Sequence, residues 1–399
     1  MMTTPRGERP HISIFGRTNV GKSTLANAIT NQSISLVSHV AGTTTDPVYK
    51  AMELLPIGPI VIIDTAGYDD TSELGALRVE KTSDVIEKTD LAIIVIDTEQ
   101  QITSYDANII KKLKNKNIKT FCVINKKNAT DLDISQLKKE YDIPFIQANI
   151  LHGADTVKEM IIQTFDAKSQ NKTIVGDFID NGDIVVLVIP VDKSAPKGRL
   201  ILPQQQTIRD ILEHKAIAVI SQETELAATL STLAGKVKMV ITDAQIFGMV
   251  KKIVPEDILL TSFSVLFANY KGELRYLAEG ANKINDLKPN DKVLICEACT
   301  HHRQDGDIGK DKIPKLLESK AGGKLDFTWY SGTDFPKNDE LCAFNLIVHC
   351  GACMINEKEM LSRIERAVNF NIPIVNYGVL FAFFAGSLER TLEPMKLSI

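Results

Sequence analysis

Residues 16–23 read GRTNVGKS, a match to the pattern G-x-x-x-x-G-K-S/T, with the apolar run HISIF (11–15) before it and the helix-like TLANAIT (24–30) after it. No other segment constrains the fold as much. Such a loop works only between a buried strand and a helix N-terminus, where backbone N–H groups converge on an anion. Gly16 and Gly21 let the backbone wrap phosphates closely, Lys22 carries positive charge toward the β/γ-phosphates, and the Ser23 hydroxyl suits Mg²⁺, with Thr24 beside it at the helix start.

The surrounding chain has the alternation this loop requires. IVIID (60–64), LAIIVID (91–97) and TFCVIN (120–125) read, with HISIF, as short buried strands. Helix-like segments such as 74–88 and 104–116 lie between them, so a parallel sheet covered by helices on both faces is expected. The polar tract DAKSQNK (166–172) closes this first domain, residues 1–170. Residues 171–265 repeat the pattern on a smaller scale, from IVVLVI (184–189) to ILLTSF (258–263), with no chemical cluster; they read as an association module. Residues 266–399 open on a helical run, VLFANYKGELRYLAEGANKI, followed by strands KVLIC (292–296), KLDFTWY (324–330) and NLIVHC (345–350). The helix 356–370, rich in Glu, Lys and Arg, reads as a solvated face, and Trp329 as a packing residue. The fold class expected is α/β throughout, in three domains, as befits 399 residues.

A net charge of −4 disfavours tight, nonspecific nucleic-acid binding. The apolar runs are strand-sized, far short of the ~18 residues a membrane span needs, and the basic start MMTTPRGERP lacks an apolar signal core. A soluble cytoplasmic protein without a membrane partner is expected.

Two further motifs complete the phosphate site. DTAG (64–67) ends a strand, placing Asp64 in the Mg²⁺ shell and the Gly67 N–H toward a γ-phosphate. AGTTTD (41–46) lies between the two, and NKKN (125–128) ends the strand TFCVIN. Together GRTNVGKS, AGTTTD, DTAG and NKKN resemble a Ras-type GTPase of the translation-factor-related class, in the branch that includes the tRNA-modification GTPases. The resemblance implies GTP and Mg²⁺ as ligands, Thr44 as the switch threonine on Mg²⁺, Asn125 and Lys126 bracketing guanine, and Asn19 helping to bind an activating K⁺. Two residues depart from that pattern. Asn128 stands where the usual N-K-x-D motif has a carboxylate, and an amide offers one acceptor oxygen where a carboxylate accepts two N–H bonds, which weakens guanine selectivity. Tyr68 follows DTAG where Ras-like enzymes carry a water-orienting Gln, which implies slow hydrolysis or hydrolysis aided by K⁺. A last base-binding loop would fall near Gln147 and Ala148.

The six cysteines are unevenly spread, five of them after residue 295: Cys296-Glu-Ala-Cys299-Thr-His301-His302, Cys342, and His349-Cys350-Gly-Ala-Cys353. A secreted disulfide framework would be shorter and denser. Thiolates select zinc or iron–sulfur centres, and both segments follow apolar strands. If those strands are parallel neighbours, their C-terminal ends share one edge, where open α/β sheets form binding crevices. A four-cysteine zinc site, a reversible dithiol and an iron–sulfur cluster with incomplete cysteine ligation all fit the residues. Cys296 reads as strand core, Cys342 and Cys122 as buried structural thiols, and His302 as a solvated neighbour.

The order C-x-H, a long insertion and H-C-x-x-C, behind a GTPase domain and the segment LILPQQQTIRDILEHKAIAV (200–219), resembles the [FeFe]-hydrogenase maturation GTPases along essentially the whole chain. That resemblance implies a [4Fe–4S] cluster held by Cys299, Cys350 and Cys353 in domain 266–399, with one position open to an exchangeable ligand. His301, His349, Asp305 or Asp307 would be the side chains able to fill it. It further implies homodimerisation through domain 171–265 and a GTP-driven scaffold that carries a two-iron precursor to apo [FeFe]-hydrogenase, with radical-enzyme maturases as partners. The alternative is an RNA- or ribosome-associated GTPase with a structural zinc site.

Overall fold

The computed structural model describes residues 5–31, 46–67, 81–97, 102–126, 134–165, 172–191, 200–298 and 307–398. The chain forms two compact units, Met1–Asn171 and Lys172–Ile399.

The first unit is built on a six-stranded sheet. Its strands are β1 (His11–Phe15), β2 (Val48–Leu54), β3 (Gly58–Asp64), β4 (Leu91–Asp97), β5 (Lys119–Asn125) and β6 (Phe145–Ala148), in the order β2-β3-β1-β4-β5-β6. All pairings are parallel except β2 with β3. Every residue of β1 and β4 is buried, as expected of Ile/Val-rich strands covered on both faces. Successive side chains feed two cores: Ile12, Ile14 and Ile93 on one face, Phe15, Ile94 and Cys122 on the other. Helix Lys22–Thr30 contributes Leu25 and Ile29 to the first core, and helix Ser104–Asn115 contributes Ile109 and Leu113 to the second. β2 escapes a sequence reading because its residues alternate in burial at the sheet edge, and β6 because it has only four residues.

The second unit holds two four-stranded parallel sheets. One contains β7 (Ile184–Val188), β8 (Ile217–Ser221), β9 (Val237–Thr242) and β10 (Leu259–Ser262), in the order β10-β9-β7-β8. The other contains β11 (Lys292–Glu297), β12 (Asp326–Ser331), β13 (Leu346–His349) and β14 (Ile374–Asn376), in the order β12-β11-β13-β14. The entry to the first sheet is pinned by Asp210, whose Oδ2 accepts the N–H groups of Ile174, Val175 and Gly176 at 3.1, 2.7 and 2.9 Å.

Helix Phe263–Lys271 belongs to both sheets. Phe263, Leu266 and Phe267 pack in the core of the first, Val265 and Ala268 in the core of the second. The domain boundary expected at 265/266 therefore falls inside one helix with two apolar faces. The single helical run expected over 265–284 is also corrected. Gly272 takes an extended conformation (φ −130°, ψ −164°), and a second helix, Leu274–Asn282, starts beyond it. Asn376 ties the sheets further, its Nδ2 donating to the Ser264 carbonyl at 3.0 Å. No helix of the described residues is long and apolar enough to cross a membrane.

Candidate functional site

The phosphate loop leaves the C-terminal end of β1, which lies between β3 and β4. The chain reverses direction across the sheet at this point, which is where open α/β sheets bind ligands. Two glycines are dictated by the backbone. At Gly16 (φ +153°) a Cβ would lie 2.6 Å from the Val95 carbonyl oxygen, and at Gly21 (φ +105°) it would lie 2.2 Å from Ile150 Cδ1. Lys22 is buried and donates from Nζ to the Arg17 carbonyl at 2.7 Å, which holds its charge against the loop. Asn19 sits in the left-handed region at φ 62°.

Asp64 ends β3 and is buried, and among the described residues its Oδ1 accepts no hydrogen bond. Burial pushes its carboxyl above the ordinary carboxylate range, while the hydrogen bond with Ser23 and the charges of Lys22 and Lys50 pull it back. A buried carboxylate oxygen without a donor, beside the Ser23 hydroxyl, fits a Mg²⁺ ion. Lys50 lies on β2 and donates to Asn27 Oδ1. Gly67 packs directly on Thr18 of the loop, so that a Cβ there would approach Thr18 N to 2.7 Å.

The strand expected to read the base is tied to the same loop. Asn125 ends β5, is buried, and donates from Nδ2 to the Val20 carbonyl at 3.0 Å. Lys126 N donates to the Ala148 carbonyl at 2.9 Å, and Asn125 pairs with Ala148 in register. The end of β6 therefore borders the guanine motif, where the last base-binding loop is expected. Thr44, Tyr68 and Asn128 lie outside the described residues.

The cysteine segments meet at the C-terminal edge of the last sheet. β11 and β13 are parallel neighbours with Cys296 opposite His349, so the condition for convergence is met. The Cys350 N–H donates to the Cys296 carbonyl at 2.8 Å, and the Ala298 N–H donates to Cys350 Sγ at 3.1 Å. Ala298 is the residue before Cys299. Cys350 and Cys353 are half-buried. Cys299, His301, His302 and Asp305 lie outside the described residues, and among the described residues no group of three or more His, Cys, Asp and Glu side chains is placed to hold a metal ion.

The other candidates sort by burial. Cys296 is fully buried in the core, and its thiol is pushed up to about 12 by that burial. Cys122 is likewise core, with its thiol shifted upward. Cys342 corrects expectation: it is exposed, its Sγ donating to the Asn338 carbonyl at 3.5 Å. Asp307 is spent as a helix cap, Oδ1 accepting from Gly309 N and Lys310 N. Trp329 is partly exposed and donates from Nε1 to the Gly309 carbonyl.

His349 corrects expectation most sharply. It is fully buried, with Nδ1 2.9 Å from the Cys350 carbonyl and Nε2 3.0 Å from Arg363. Arg363 can only donate, so Nε2 is the acceptor and Nδ1 carries the proton. Both ring nitrogens are engaged, and neither is open to a metal in this arrangement. Burial first, and the Arg363 charge second, lower its pKa to about 3. Helix Glu357–Asn369 is therefore no purely solvated face: Arg363 and Glu359 are buried and paired at 2.7 Å.

Sequence reasoning missed one group. Lys271, at the end of helix Phe263–Lys271, is 2% exposed. Its Nζ donates to the carbonyls of Ile355 at 3.1 Å and of Ala352 and Cys353 at 3.5 Å. No local pattern marks it, because a lysine closing an apolar helix ordinarily reaches solvent. Two half-buried thiols at one sheet edge, one of them accepting a backbone N–H, suit a metal centre held by thiolates.

Three family models match successive stretches of the chain. A 50S ribosome-binding GTPase model covers residues 11–126, a hydrogen maturase F dimerization domain 174–272, and a hydrogen maturase F tetramerization domain 275–394. Two association modules thus follow the GTPase module. Among curated relatives, the tRNA modification GTPase MnmE of Lactobacillus helveticus is 32% identical over 163 residues, 40% of this chain and 35% of the relative. MnmE of Clostridioides difficile is 28% identical over 174 residues, 43% and 36% of the two chains. The chain thus covers about a third of these relatives' length. Of solved structures, Aquifex aeolicus Era superposes with a TM-score of 0.36 at 20% identity, over 53% of this chain and 92% of Era. With a GTPase module ahead of both maturase modules, this chain belongs to the hydrogen maturase F family of hydrogenase-maturation GTPases.

Proposed function

We propose that this protein is a GTP-dependent scaffold that carries a two-iron precursor to apo [FeFe]-hydrogenase, with a resident [4Fe–4S] cluster on Cys299, Cys350 and Cys353. The observation that carries the reading is the Ala298 N–H on Cys350 Sγ, because it brings the two cysteine segments, about fifty residues apart in sequence, to one sheet edge. When bound, the cluster supplies an iron that three cysteines leave open to an exchangeable ligand. His349 is engaged elsewhere and Asp307 caps a helix, so His301 and Asp305 are the better candidates for that position.

In the nucleotide site, Lys22 and the loop amides would hold the phosphates, Ser23, Asp64 and Thr44 the Mg²⁺, and Asn125 and Lys126 the guanine. Asn19 would take part in K⁺ binding, and without a water-orienting Gln at position 68 turnover would be slow. GTP then acts as a switch on partner docking, with the radical-enzyme maturases and the apo-hydrogenase as the docked proteins. The maturase modules support assembly into homodimers and higher oligomers.

The decisive experiment is iron, sulfide and zinc analysis with an absorption spectrum after anaerobic purification and reconstitution. A brown protein with iron that Cys350→Ser fails to retain is expected. A colourless protein with stoichiometric zinc would refute the cluster and favour a structural zinc site on an RNA-linked GTPase. Lys22→Ala should abolish hydrogenase activation in a maturation assay; full activation would refute the switch.

A further inference from the structure

The phosphate-loop pattern G-x-x-x-x-G-K-S leaves position 17 open to any residue, and an arginine in a loop ordinarily reaches solvent. Arg17 is instead 7% exposed. Its Nε lies 3.2 Å from Oδ2 of Asp106, a residue with no exposed surface. Asp106 stands in the first turn of helix Ser104–Asn115, where Oδ2 also accepts the Thr103 N–H at 2.9 Å and the Thr103 hydroxyl at 2.8 Å. One carboxylate oxygen thus caps this helix and meets the phosphate loop. The reach is short because β1 and β4 are parallel neighbours, with Phe15 opposite Ile94, so that the ends of both strands share one sheet edge. The main chain of Arg17 has a second duty, its carbonyl accepting from Lys22 Nζ at 2.7 Å. Through its side chain and its carbonyl, one residue joins a buried carboxylate to the lysine expected at the β/γ-phosphates.

We propose that Arg17 is a positioning residue for nucleotide binding: paired with Asp106, it fixes the Arg17 peptide and, through its carbonyl, the Lys22 ammonium. This rests on the nucleotide site proposed above. Desolvation offsets much of the Coulombic gain of a buried ion pair, so the value of this one lies in geometry. A loop held in place beforehand binds more tightly, because less ordering is left for the moment of binding. The pair also links the two faces of the sheet at the site. Helix Lys22–Thr30 packs Leu25 and Ile29 in one core, and helix Ser104–Asn115 packs Ile109 and Leu113 in the other.

The test uses the full-length chain as wild type, Arg17→Gln, Asp106→Asn and the double variant Arg17→Gln/Asp106→Asn. Asp106→Asn keeps an oxygen for the Thr103 N–H and removes the charge that Arg17 pairs with. The readouts are GTP affinity by fluorescent-nucleotide titration, taken well below each variant's unfolding temperature, and that temperature itself without nucleotide. Each single substitution is expected to weaken GTP binding roughly tenfold, and the double variant to bind no worse than the weaker single, because both act through one contact. In a Lys22→Ala background, Arg17→Gln should add little further loss, since Arg17 acts through that lysine; a merely structural role would not show this coupling. If Arg17→Gln does not fold, Asp106→Asn takes its place throughout. Folded single variants with wild-type affinity, or losses that add in full in either combination, overturn the inference alone. A wild-type chain that binds no GTP removes the nucleotide reading and this inference with it.

Discussion

Removal of Arg363 is the perturbation with the largest predicted effect. Its guanidinium is 3% exposed and donates to Glu359 Oε1 at 2.7 Å, to His349 Nε2 at 3.0 Å and to the Gly332 carbonyl at 3.3 Å. Arg363→Leu leaves a largely buried carboxylate without its cation and an imidazole nitrogen without its donor. Breaking one side of a buried pair costs about 3–5 kcal/mol, whereas replacing both partners by apolar groups is often close to neutral. The double variant Arg363→Leu/Glu359→Leu should therefore be more stable than Arg363→Leu alone, with a coupling of about 2–3 kcal/mol. For a unit the size of Lys172–Ile399, the single variant's loss corresponds to a fall in Tm of roughly 6–20 °C. Trp329 is the only tryptophan and lies on β12 of the affected sheet, so its fluorescence reports unfolding of that unit. The assay is thermal unfolding at pH 7 with thiols kept reduced. A loss under about 1 kcal/mol, or strict additivity in the double variant, would refute the argument that the pair and His349 act as one network.

Three further outcomes follow from particular contacts. His349 is neutral in the fold with its pKa lowered to about 3 from 6.5, so the unfolded chain binds the extra proton. Its stabilising contribution is complete above about pH 6.5 and is lost as pH falls toward 3, at up to about 1.4 kcal/mol per pH unit; His349→Gln should flatten that acid limb in denaturation curves. Gly21→Ala forces a Cβ against Ile150 at φ +105°, a strain of about 1–3 kcal/mol, and GTP affinity measured by fluorescent-nucleotide titration should drop by roughly tenfold to a hundredfold. Asp210→Ala strips the acceptor from three buried N–H groups and should cost at least about 3 kcal/mol in urea unfolding, while Asp210→Asn, which keeps one oxygen, should cost less.

The nucleotide half of this protein was legible in its sequence. GRTNVGKS, DTAG and NKKN are local patterns whose chemistry depends on residues a few positions apart, and an all-apolar strand such as LAIIVID declares its burial on both faces. The cysteine half was legible only as composition. Which of six thiols lie together depends on β11 and β13 being neighbours, a pairing between residues about fifty positions apart that no local pattern encodes. The same holds for the charged groups. His349 reads as a ligand and Arg363 as a solvated helix residue until packing places them 3.0 Å apart in the core. Lys271 reads as an ordinary helix end until the turn around Ala352 closes over it. The chemistry available to the chain can be read from its residues, because motif and hydrophobic period are short-range. Which polar groups are engaged, and which stay open to ligands, follows from packing, because burial and hydrogen-bond partners come from segments far apart in the chain.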